Sequence, residues 1–148
     1  MHLKNILLLF SFFILSYTSL SAQDNYDQSI GLRGGSLSGV TYKRFIGRFA
    51  AIEGIVGYNF GNGKVASITG LYEYHFFINY QLNWYAGGGL SLGANNENFR
   101  TTVEAILGLE YTTSNFPVSF ALDYKPGYEI IGNEIIYIEF ALSLRYVF

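Results

Sequence analysis

From residue 28 to the C-terminus the chain alternates between apolar and polar positions. The last segment is the clearest: Ile136, Ile138, Phe140, Leu142, Leu144, Tyr146 and Phe148 are all apolar or aromatic, while the positions between them include Glu139, Ala141, Ser143 and Arg145. A β-strand sends successive side chains to opposite faces, so this period of two predicts a strand with one greasy and one polar face. Upstream, Val118, Phe120, Leu122 and Tyr124 oppose Ser119, Ala121, Asp123 and Lys125, and Val103, Ala105, Leu107, Leu109 and Tyr111 oppose Thr102, Glu104, Gly108 and Glu110. Trp84, Ala86, Leu90 and Leu92 oppose Asn83, Gly87, Gly89 and Ser91, and Ile68, Tyr72, Tyr74 and Phe76 oppose Ser67, Thr69, Glu73 and His75. Ile52, Val56 and Tyr58 oppose Ala51, Glu53 and Asn59. Two glycine-diluted segments come first, Ile30 and Leu32 against Arg33, then Val40 and Tyr42 against Thr41 and Lys43. The pattern predicts an all-β chain of eight strands, with connections near 36–38, 46–49, 60–64, 77–82, 94–100, 112–117 and 127–133. After residue 22 no window holds a helical period without an equally good period of two.

Eight antiparallel strands fit two architectures with opposite faces. A soluble lipocalin-like barrel has an apolar lumen, and a membrane barrel has an apolar wall and a polar lumen. Four features point to the second. Large side chains crowd the greasy face of nearly every strand and would overfill a narrow eight-stranded lumen. The other face is rich in Gly, Ala, Ser and Thr, which suit a crowded interior. That face also carries charges of both signs, Arg33, Lys43, Lys125 and Arg145 with Glu53, Glu73, Glu104, Glu110, Asp123 and Glu139, together with His75. Opposite charges of this kind can pair across a lumen, where an unpaired charge is costly. Finally, aromatics cluster near the strand ends: Phe45, Phe49, Phe76, Phe77, Trp84, Tyr111, Phe116, Tyr146 and Phe148 toward one rim, and Tyr58, Phe60, Tyr124 and Tyr128 toward the other. Interfacial girdles have this form. The expected fold is an eight-stranded, antiparallel, up-and-down transmembrane β-barrel, apolar outside with a polar, filled lumen.

Composition sharpens this picture. Charged residues make up 14% of the chain, against about 25% in soluble domains. Lys and Arg number 9 and Asp and Glu 11, so the basic excess of a nucleic-acid binder is missing. There is no cysteine, which excludes a thiol nucleophile, a disulfide framework and a cysteine-based zinc site. Residues 1–22 read as a cleaved secretory signal peptide. Lys4 supplies the positive start, Ile6 to Tyr17 the apolar stretch, and Leu20-Ser21-Ala22 the small-residue exit before Gln23. The barrel domain is then 23–148, with both termini in the periplasm and the outer loops near 36–38, 60–64, 94–100 and 127–133.

The run Phe140-Ala141-Leu142-Ser143-Leu144-Arg145-Tyr146-Val147-Phe148, with the phrases Gly108-Leu109-Glu110-Tyr111 and Asp123-Tyr124-Lys125-Pro126, gives the chain a family look. It resembles the small eight-stranded outer-membrane barrels of the OmpA/OmpX type, and within them the short barrel proteins of Bacteroidota, over about residues 28–148. The Ser21-Ala22-Gln23 junction is similar to signal-peptide ends common in that phylum. The resemblance implies that Phe140, Leu142, Leu144, Tyr146 and Phe148 form the C-terminal signal read by the barrel-assembly machinery. It also implies a monomer surrounded by outer-membrane lipid. The chain departs from OmpA in lacking a periplasmic peptidoglycan-binding domain, so no cell-wall tether is implied. It departs from OmpX in its short outer loops, whereas the adhesin role of some relatives depends on long projecting hairpins.

Catalytic chemistry has little purchase. His75, two residues from Glu73 on the same face, could be a base oriented by a carboxylate. It reads inward, and no serine stands in the middle of an outward register to complete a lipid-facing set. Gly61-Asn62-Gly63-Lys64 lacks phosphate-loop spacing, with Val65 where Ser or Thr belongs. Gly87-Gly88-Gly89 fails the dinucleotide pattern and suits a bend or a close backbone approach. No cofactor, metal or catalytic residue is expected. The expected function is a structural or surface-interaction barrel that is neither an enzyme nor an open porin. A lipid-modifying enzyme and a soluble ligand-binding barrel are the alternatives.

Overall fold

The computed structural model describes residues 26–60, 64–79, 81–96, 99–131 and 136–148. The leader expected at 1–22, Gly61 to Gly63 and Glu97 lie outside the described residues. Eight strands follow in order: β1 (Gln28–Gly35), β2 (Ser38–Phe45), β3 (Ala50–Tyr58), β4 (Ala66–Phe77), β5 (Leu82–Ala94), β6 (Phe99–Thr112), β7 (Val118–Ile131) and β8 (Ile136–Val147). Each pairs antiparallel with its sequence neighbours, and β1 also pairs with β8, so the sheet is a closed barrel in sequence order. Closure removes the free strand edges that would otherwise template aggregation. At the termini the seam is completed by Gln28 N–H to the Phe148 carbonyl at 2.9 Å and Phe148 N–H to the Gln28 carbonyl at 2.8 Å.

The alternation sorts the two faces. Ile30 and Leu32, Val40 and Tyr42, Ile52 and Val56, Ile68 and Tyr72, Leu90 and Leu92, Leu107 and Leu109, Phe120 and Leu122, and Phe140, Leu142 and Leu144 all stand exposed on the outer wall. Every strand contributes, so the apolar surface runs around the whole barrel. At the end carrying the termini Trp84 stacks on Phe76 with ring centroids 4.0 Å apart, and Tyr146 on Phe148 at 5.9 Å. At the opposite end Tyr58 meets Phe60 edge-on at 4.8 Å.

Several sequence expectations change. Phe45 does not join the outer girdle. It turns inward and with Tyr26, Ala51 and Val147 forms an apolar cap over the lumen at the termini end. Phe77 packs toward the same mouth, its ring 6.5 Å from Phe45 and 6.3 Å from His75. Strand β7 continues to Ile131, so most of the connection expected at 127–133 is strand. A register shift opposite Thr101 and Thr102 marks a bulge there, and Ile130 and Ile131 are both exposed beyond Glu129. The glycines of β5 have a steric cause: a Cβ at Gly87 would meet the Tyr72 carbonyl of β4, and one at Gly89 the Gly70 carbonyl. Lys64 has a left-handed backbone (φ 37°) and leads into β4, so no helix follows the Gly-Asn-Gly-Lys run.

Candidate functional site

The lumen is the candidate site, and its side chains stack in layers. Below the cap at the termini end lies an inner charged cluster. Lys43 from β2 reaches Glu73 of β4 at 2.7 Å and lies 3.7 Å from Glu53 of β3 and 3.9 Å from Glu110 of β6. Arg145 from β8 spreads its two terminal nitrogens between Glu53 at 2.7 Å and Glu110 at 2.8 Å. The Thr41 hydroxyl donates to the same Glu53 oxygen. Tyr26, ahead of β1, donates its hydroxyl to Glu110 at 2.6 Å. Burial, then the Glu110 charge, push that phenol well above the ordinary tyrosine range, so it remains a donor.

An apolar layer of Ile55, Leu71, Tyr85, Ile106 and Ala121 follows. Beyond it lies an outer charged cluster. Arg33 holds Asp123 through both terminal nitrogens at 2.6 Å and reaches Glu139 at 3.1 Å. Lys125 binds Glu104 at 2.7 Å and Glu139 at 3.1 Å. Tyr85 joins the two clusters: its hydroxyl lies 3.3 Å from Asp123, and Lys43 sits 4.1 Å above its ring. At the end opposite the termini a cavity of about 280 Å³ opens above the outer cluster, its wall including Ser67, Ser91, Thr102, Arg100 and Glu129.

All eleven residues read from the sequence as lumen charges lie inside, none more than 3% exposed: Arg33, Lys43, Glu53, Glu73, His75, Glu104, Glu110, Asp123, Lys125, Glu139 and Arg145. The structure divides them between the two clusters. The C-terminal run Phe140, Leu142, Leu144, Tyr146 and Phe148 is exposed on the opposite face. Sequence reading missed Glu129, which is buried and 3.7 Å from Arg100, because it fell in an expected loop. It also missed the apolar layer, although Ile55, Leu71, Tyr85 and Ile106 each occupy the parity of the charged face.

His75 is enclosed rather than poised. Its Nδ1 lies 2.7 Å from the Asn83 side-chain oxygen and its Nε2 3.1 Å from Glu73. Phe45 and Tyr85 pack against the ring with centroids at 4.7 and 5.0 Å. With both nitrogens engaged and aromatic rings against it, the imidazole has no open approach for a substrate.

No family model matches the chain, and no curated protein matches it. Solved structures do. The N-terminal β-barrel domain of Pseudomonas aeruginosa OprF aligns with a TM-score of 0.68 at 16% identity, over 85% of this chain and 98% of that one. Neisserial surface protein A aligns at 0.54 and 17% identity, over 82% and 94%. The Yersinia pestis outer membrane protein Ail, determined in a phospholipid bilayer nanodisc, aligns at 0.53 and 14% identity, over 84% and 100%. At these identities the likeness speaks for the fold, and the chain has the closed eight-stranded antiparallel barrel of these proteins.

Proposed function

We propose that this protein is an integral outer-membrane β-barrel with a structural or surface-interaction role. The observation that carries the reading is the pairing of an apolar wall on all eight strands with a lumen filled by charged and polar side chains. A water-soluble monomer seldom exposes a contiguous apolar patch beyond a few hundred Å², and burying each such side chain is worth about 1.5–3 kcal/mol. A bilayer supplies that burial. Closure satisfies the backbone hydrogen bonds that no lipid can. The reading includes removal of a signal peptide at 1–22, delivery to the barrel-assembly machinery through the C-terminal aromatic run, and a monomer in outer-membrane lipid. The outer-membrane and surface proteins of the same fold support it. The phrases around Tyr111 and Tyr124 support a place among the short barrels of Bacteroidota.

A lumen packed with two ion-pair clusters and an apolar layer is a poor conduit, so the reading is not an open porin. Neither alternative gains an observation: His75 is enclosed, and an apolar-ligand barrel would need a lumen free of these charges. The test is gel mobility in SDS of the protein from the outer-membrane fraction, with and without boiling. A heat-dependent band shift and retention on membranes through a high-salt wash are expected. Recovery in the soluble fraction with an unshifted band would overturn the reading.

A further inference from the structure

We propose that Glu53 and Glu73 share one proton, so that the inner cluster is electroneutral and takes up that proton when the barrel folds. Both carboxyls are buried, and each has one well-used oxygen. Glu53 Oε1 receives Arg145 and Thr41. Glu73 Oε2 is ion-paired with the Lys43 ammonium at 2.7 Å and lies 3.1 Å from His75 Nε2. The other two oxygens, Glu53 Oε2 and Glu73 Oε1, are buried with no hydrogen-bond partner among the described residues. Yet the two residues are diagonal neighbours on β3 and β4, with Glu73 opposite Ala51 and Glu53 opposite Leu71, and both carboxyls close on the Lys43 ammonium, at 2.7 Å from Glu73 and 3.7 Å from Glu53. Two ionised carboxylates offer only acceptors and repel at such range. One proton between them turns two orphaned acceptors into a single hydrogen bond, and it belongs to the pair rather than to either residue.

Charge balance asks for the same proton. Lys43 on β2 and Arg145 on β8 are the cluster's fixed cations, facing the carboxylates of Glu53, Glu73 and, on β6, Glu110. That leaves one negative charge in excess, which a single proton cancels; His75, whose two ring nitrogens both face acceptor oxygens, is the rival seat for that proton, and the His75→Asn variant below separates the two. Tyr26 and Tyr85 enter as uncharged hydroxyls. Arg33 on β1 and Asp123 on β7 neutralise each other in the outer cluster, on the far side of the apolar layer. The proton comes from solvent as the chain folds, because both glutamates of the unfolded chain are ionised at neutral pH.

This inference rests on the lumen geometry and not on the membrane reading. Its test is infrared spectroscopy of the folded, detergent-purified protein at about pH 8, well above the ordinary carboxyl range. A protonated-carboxyl C=O absorption is expected in the wild type, lost in both Glu53→Gln and Glu73→Gln and kept in His75→Asn. Denaturant unfolding adds a second readout. A proton taken up on folding makes the folding constant fall up to tenfold per pH unit between about pH 7.5 and 9, above free imidazole and below tyrosine and lysine. Glu73→Gln, whose amide replaces the shared proton, should flatten that slope. The wild-type band needs no variant to fold. Its absence, its survival in both glutamine variants, or its loss in His75→Asn alone would overturn the proposal.

Discussion

The phenol ring of Tyr85 fills the space that a side chain at Gly108 would need. The two residues are register partners on β5 and β6, and a Cβ at Gly108 would collide with the ring and hydroxyl of Tyr85. Tyr85 is fully buried and joins the two charged clusters through Asp123 and Lys43. Gly108→Ala should therefore cost about 1–3 kcal/mol by overpacking. Denaturant unfolding of the folded barrel measures it. Tyr85→Phe, which keeps the ring and removes one hydroxyl, should cost less. Equal losses would show that the ring's position is not what Gly108 protects.

Arg33 and Asp123 form the outer cluster's two-pronged pair. Arg33→Met removes the cation that holds Asp123 and Glu139, and should destabilise by about 3–5 kcal/mol, the cost of stranding buried charge. Adding Asp123→Leu should restore much of that loss, since one charge of each sign is then gone. A double variant as unstable as the single would mean that side-chain volume, not charge, sets the cost.

His75→Ala strips a partner from Asn83 and from Glu73 and opens a gap between Phe45 and Tyr85. The temperature at which the gel band shifts should fall. Outer-membrane lipid composition should stay as in the wild type. A changed lipid profile, with the barrel still folded, would revive the lipid-modifying reading.

The C-terminal residue separates assembly from stability. Phe148 closes the seam through its backbone, while its ring stands on the outer wall. Phe148→Ala keeps both backbone bonds. It should lower the amount of barrel assembled in cells several-fold and leave the unfolding midpoint of refolded protein nearly unchanged. Equal losses in both assays would assign the ring to packing rather than to a signal.

Asn95 and Asn96 sit in the connection between β5 and β6, beyond the last paired residues Ala94 and Phe99. Replacing both with alanine should leave membrane insertion and the heat-dependent band shift intact. Loss of insertion would move these residues from surface display into folding.

The sequence by itself determined the strands and their faces. A period of two is a local property, so Ile136 to Phe148 could be divided between wall and lumen without knowing any neighbour. The same parity put Lys43, Glu53 and Arg145 on one face, and the narrowness of an eight-stranded lumen said which face that was. What only the tertiary structure decided depends on stagger between strands. Whether Arg145 meets Glu53 or Asp123 turns on how far β8 is shifted along the barrel, and closure sets that shift, not alternation. The same stagger interposes Ile55, Leu71 and Ile106 between the two charged clusters. Phe45 shows the other limit. At a strand's last residue, parity gives a side but not what lies there, and only the closed barrel reveals an open mouth for Phe45 to cap together with Tyr26. Glu129 was hidden for a related reason: its glycine-led segment, Gly127-Tyr128-Glu129, reads as a turn until pairing with β6 and β8 holds it extended.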